Sequence, residues 1–130
     1  MTAFGAPRPE DLGEPTPVTQ IRMAATAAEA ARATPGVAHL QPGLWGLVQQ
    51  FGTQLWTTVT GQPRPDTAGV EVVIGHDAVT VAVAFVADGR RPAVEVAFDV
   101  QRRVYSAVLA THDIKPDRVA VRIIDIALPG

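Results

Sequence analysis

Along the second half of the chain the apolar positions change their period in a fixed order. VEVVIG (70–75) and AVTVAVAFVAD (78–88) alternate with period two, the mark of strands whose side chains point to opposite faces. PAVEVAFDVQRRVYSAVLATHD (92–113) runs with a helical period, and DRVAVRIIDIAL (117–128) returns to period two. The order predicts a strand, a hairpin, a second strand, a helix and a third strand. Gly75, His76 and Asp77 supply the hairpin turn, and Asp88–Gly89 ends the second strand. Val79, Val81, Val83 and Phe85 are expected to face the core, with Thr80, Ala82 and Ala84 on the other side. Pro92 opens the helix, and Ala97, Val100, Val104, Ala107 and Val108 form its expected buried stripe. Glu95 and Asp99 precede Arg102 and Arg103, an order that complements the helix dipole and allows an Asp99–Arg103 pair. The alternation slips at Ile123–Ile124, which predicts a bulge or a strand end buried on both faces.

The first half is less regular. Residues 1–15 combine Pro7, Pro9 and Pro15 with Glu10, Asp11 and Glu14 and little apolar surface, so they read as a disordered arm. Thr16 offers an N-cap oxygen, Pro17 suits the first helical turn, and Val18, Ile21, Ala25 and Ala28 make one stripe. Pro35–Gly36 ends that helix, and Val37–Leu40 predicts a short strand. In LWGLVQQFGTQLWTTV (44–59) the apolar residues fill half of a helical wheel, Gln and Thr fill the other half, and no charge appears. Gly46 and Gly52 each cost about 1 kcal/mol against alanine, so a helix here needs its apolar face covered. GQPRPD opens a linker over 61–68. The α-β-α-β-β-α-β order predicts one α+β domain over 16–130, a small mixed sheet of three to four strands with helices packed on one face.

Composition narrows the chemistry. The chain has 130 residues, a net charge of −2 and no cysteine, which removes disulfides, thiolate metal sites and thiol nucleophiles. Arg90, Arg91, Arg102, Arg103, Arg118 and Arg122 gather late but alternate with acids, so no phosphate-neutralising surface is expected. The longest apolar run, VAVAFVA, is far too short to span a bilayer, and no leader precedes it, so the expected location is cytoplasmic. His39, His76 and His112 are isolated, and Ser106 lies six residues before His112, outside same-face reach on a helix. No glycine pattern cradles phosphate. A non-enzymatic protein without metal or cofactor is the expectation.

The residues Pro35-Gly36-Val37, Gly43-Leu-Trp-Gly-Leu-Val-Gln-Gln-Phe-Gly52 and Gly69-Val-Glu-Val72, in this order of elements, resemble the alkaline shock protein family of Gram-positive envelope stress response proteins. The resemblance covers about residues 16 to 128. It implies a non-enzymatic cytoplasmic protein that self-associates as a homo-oligomer and takes part in cell-envelope homeostasis. Some members are held near the membrane by a small integral membrane anchor protein or another envelope-associated partner. The chain departs from the family in having Thr53-Gln54 where a basic cluster usually follows the short helix, and Asp88-Gly-Arg-Arg-Pro92 where an aromatic and an isoleucine-proline are common. A KH-like nucleic-acid-binding module is the alternative on element order, but the Gly-x-x-Gly clamp it needs is absent and no nucleic acid is expected.

Two surfaces are candidates for contact. The first is the apolar half of 44–59, with Leu44, Trp45, Val48, Phe51, Leu55 and Trp56 facing a partner, a second subunit or the bilayer interface. The same residues suit a helix folded onto the sheet to complete the core, since a chain of this size needs most of its large apolar groups inside. Direct lipid contact is the weaker form, since the segment has no Lys or Arg to attract anionic headgroups. The second is Arg90 and Arg91, placed to meet an anion or an acidic partner at the helix N-terminus, or to lie on a solvated face. An exposed strand edge is a further choice.

Overall fold

The computed structural model describes residues 14–42 and 49–127. The elements follow the expected order: α1 (Thr16–Arg32), β1 (Val37–Leu40), α2 (Gln49–Thr60), β2 (Val70–Ile74), β3 (Val79–Ala87), α3 (Ala93–His112) and β4 (Arg118–Ile126). They form an α+β fold on a four-stranded mixed sheet. β3 is its centre. β4 runs parallel to β3 along one side, and both β1 and β2 run antiparallel to it along the other. The parallel pairing of β3 with β4 requires a crossover, which α3 supplies.

β1 and β2 lie end to end. β2 pairs with Val79–Val83 and β1 with Phe85–Ala87, while Ala84, between them, donates to the Gly69 carbonyl (2.8 Å) and accepts from the Gln41 amide (3.1 Å). They are two halves of one broken edge strand. The chain leaves it after Gln41, carries α2, and returns at Gly69. Gly69 sits at φ +87°, and a Cβ there would lie 2.9 Å from both the Gln41 nitrogen and Leu40 Cβ and 3.0 Å from the Ala84 carbonyl. Only glycine lets the two ends meet on one residue of β3.

α1 and α3 share one face of the sheet. α1 contributes Met23, Ala24, Ala27, Ala28 and Ala31 to the core, β2 contributes Val70 and Val72, β3 contributes Val81, Val83 and Phe85, and α3 contributes Val96, Val100, Val104 and Val108. The alternation expected for β3 holds, with Val79 packed against this cluster from its rim. α3 buries a stripe that starts at Val96, leaving Ala97 and Ala107 half-buried. On α1 the buried set is wider than one stripe, and Ala25 is only half-buried. That helix packs against the sheet, α3 and α2 at once, and its alanines allow close approach on each side.

Ends and irregularities follow local chemistry. Pro15, not Thr16, occupies the N-cap of α1, and its carbonyl accepts from the amides of Val18 and Thr19. Thr16 is the first helical residue and no side chain caps this end; Glu14 instead accepts from the side chains of Thr19 (Oγ1, 2.7 Å) and Arg22. α3 ends at Asp113 in the left-handed region (φ 55°), its amide bonded to the Leu109 carbonyl. β4 bulges where expected: Ile123 stands beside Phe85 and Asp125 beside Val86, so Ile124 is the extra residue.

Candidate functional site

The excursion from 42 to 68 is fastened to α1. Trp56 is 5% exposed and packs with Val18 and Ile21 of α1, with Leu55 at the margin. Its indole N–H donates to the Pro63 carbonyl (3.0 Å), and the Arg22 guanidinium lies over the ring, 5.0 Å from its centroid. A cation over a tryptophan face adds an electrostatic attraction to the burial. Farther along, Arg32 donates to the Asp66 carbonyl (2.8 Å) and pairs with its carboxylate (3.4 Å). The expected contact face is thus divided. Trp56 and Leu55 close a small cluster against α1, whereas Val59, one turn on, is 45% exposed. Leu44, Trp45, Val48 and the Phe51 side chain lie outside the described residues.

Arg90 and Arg91, adjacent in sequence, have different surroundings. Arg91 folds back over the helix start, donating to the Pro35 carbonyl (2.9 Å) and to Asp99 (2.7 Å). Arg102 also bonds Asp99, so the expected Asp99–Arg103 pair gives way to a bridge from two other arginines. Hydrogen bonds from Arg91 and Arg102 hold the Asp99 carboxyl below the usual range. Arg91 therefore joins the α1–β1 turn to α3. Arg90 is exposed, with its backbone amide bonded to Asp88 Oδ1 (2.8 Å).

His39, His76 and His112 fall on β1, the β2–β3 turn and the end of α3, and no group of three His, Asp or Glu among the described residues is placed to hold a metal. His112 Nε2 is 2.8 Å from Thr26 Oγ1 on α1. Burial lowers the His112 pKa, Arg22 lowers it further, and Glu14 opposes them. Burial pushes the Glu14 carboxyl up, but hydrogen bonds from Arg22 and Thr19 outweigh it and leave the group below its ordinary value. Glu71 lies on the sheet face away from α1 and α3, where burial raises its pKa.

The second surface runs along β4 and the adjoining flank of α3. β4 pairs only with β3 among the described residues, so no described strand lies along its other edge. Gln101 reaches down from α3 to donate to the Val119 carbonyl (2.9 Å). A shallow groove of about 410 Å³ lies between them, lined by Gln101, Tyr105, Pro116, Arg118 and Val119. One turn before Gln101 stands Phe98, 60% exposed, and one turn before that Val94, 63% exposed. The periodicity contained a signal for this flank, because Val94 and Phe98 fall outside the buried stripe of α3. Among the described residues, no helix is long and apolar enough to cross a membrane. Comparison with protein-family models, curated proteins and solved structures finds no match to this chain.

Proposed function

We propose that this chain is a non-enzymatic interaction protein of the alkaline-shock type, acting in cell-envelope homeostasis through self-association and a membrane-associated partner. The observation that carries the reading is the interrupted edge strand with its charge-free helix. Gly36 and Gly69, two of the glycines on which the resemblance rests, both have positive φ and flank the two halves of that strand. α2, set between them, has no charged residue and leaves Val59 exposed beyond the Trp56 anchor. Such a helix, tethered at one face and presenting Gln54, Thr57, Thr58 and Val59 without any charge beyond it, suits a protein partner better than an anionic lipid surface.

The test is co-sedimentation of the purified chain with membrane vesicles from a Gram-positive host. The expected result is binding to native vesicles, loss of binding after protease stripping of their protein, and no binding to vesicles of pure anionic phospholipid. Binding to the lipid vesicles would move the contact to the bilayer itself. Absence of binding to native vesicles would remove the membrane partner from the reading.

A further inference from the structure

We infer that the open edge of β4 pairs with the same edge of a second copy of this chain, antiparallel and centred on Val121. The inference deepens the self-association half of the proposed function and rests on it. An unpaired edge strand exposes a row of backbone donors and acceptors that another strand can take up, and natural sheets blunt such edges with charged side chains, proline, bulges or a cover. Over Arg118–Ile126 there is no proline, and no described strand pairs with the outer side. Gln101 reaches only the Val119 carbonyl, which keeps a second lone pair, and the charges and bulge that the edge does carry (Arg118, Arg122, Asp125 and Ile124) restrict which register a partner strand can take.

The register follows from charge and face. Arg118, Ala120 and Arg122 share the sheet face away from the helices, and Val119, Val121 and Ile123 share the helix face. Ile124 is the extra residue of the bulge, so Asp125 returns to the face of Arg118. Placing Val121 opposite its own copy sets Val119 against Ile123 on the helix face. On the other face it sets Ala120 against Arg122 and Arg118 against Asp125, twice by symmetry. Sliding by two residues one way brings Arg122 onto Arg122, and sliding the other way brings Arg118 onto Arg122; like charges directly opposite are unfavourable. Sliding by one residue puts valines of the helix face against the polar face. Arg118 and Asp125 form no ion pair among the described residues, and Asp125 only accepts from the Ile126 amide (2.8 Å).

The flank of α3 fits the same arrangement. Gln101 touches β4, and at the helical pitch Val94, Phe98, Gln101 and Tyr105 fall within roughly 60° of one another. Joining two sheets at β4 makes the two α3 helices neighbours on one face, so the exposed Val94 and Phe98 side chains meet across the axis. The helix flanks add apolar area that a strand edge alone does not provide, toward the roughly 800 Å² per partner of a stable dimer.

The test uses the full chain in sedimentation equilibrium. Arg118→Asp and Asp125→Arg should each weaken the dimer by about tenfold, and the double reversal should restore it, a rescue that general destabilisation does not produce. Because the chain has no cysteine, Val121→Cys should give a disulfide-linked dimer on mild oxidation. A dimer that ignores both reversals and does not cross-link at 121 overturns this register and leaves self-association standing on another surface. A chain that stays monomeric at high concentration overturns both.

Discussion

The main core and the small α1–α2 cluster bury the same kinds of side chain by different means. The core draws on α1, β2, β3 and α3, so its contacts join parts of the chain far apart in sequence. The small cluster consists of Val18, Ile21 and Trp56 with Leu55 beside them, one helix laid on another. Moreover, the chain around α2 leaves and rejoins the sheet at Ala84, so loosening α2 does not require the strand to part. Cooperative burial defines the domain, and local burial defines an attachment that can open at lower free energy.

The largest effect should come from the core. Phe85→Ala is expected to cost about 3–5 kcal/mol in denaturant unfolding and to lower protection across the whole sheet. Next is the junction between the two regions. Gly69→Ala adds a Cβ against backbone atoms at positive φ and should cost about 1–3 kcal/mol. Gly61→Ala, also at positive φ but with nothing within 4 Å of the new Cβ, carries only the backbone strain and should cost less, about 1 kcal/mol. Equal losses at the two glycines would show that crowding at the junction contributes nothing. Trp56→Ala sharpens the contrast: amide exchange should accelerate over α2 while β3 stays protected. Exchange rising together in both would make the two clusters one cooperative unit.

The smallest effect is set by pH. Because the folded protein lowers the His112 pKa below 6.5, the neutral ring is favoured and the unfolded chain takes up the proton first. Its contribution is complete above the unfolded value and is lost as pH falls through the folded one. Between about pH 7 and about pH 5 the wild type should lose stability that His112→Gln does not lose, measured as paired denaturation midpoints. An identical slope in the variant would assign the loss to other groups.

The alternation of Val79, Val81, Val83 and Phe85 and the slip at Ile123–Ile124 were legible because a strand carries its facing in its own residues. α1 was harder. Its small alanines meet three neighbours, and a single stripe does not describe a helix packed on three sides. The Asp99–Arg103 pair failed for a related reason: helical spacing makes that contact available, but Arg91, anchored on the Pro35 carbonyl, arrives from outside the helix. At the candidate site, one half-wheel could not distinguish a contact face from a core face. Trp56 proves to be covered through Val18 and Ile21, whose partner the sequence does not name. The union of β1 and β2 into one line was hidden altogether, because it exists only through β3.

That union makes the stretch between Gln41 and Gly69 a cassette. A chain joined directly there would still present β3 with an antiparallel neighbour, at the cost of exposing Val18 and Ile21 on α1. Since each doubling of a flexible connection costs only about 0.6 kcal/mol in closure, the socket tolerates inserts of very different length. Descent or design can therefore exchange what the protein displays at this point while the sheet that holds it keeps its register.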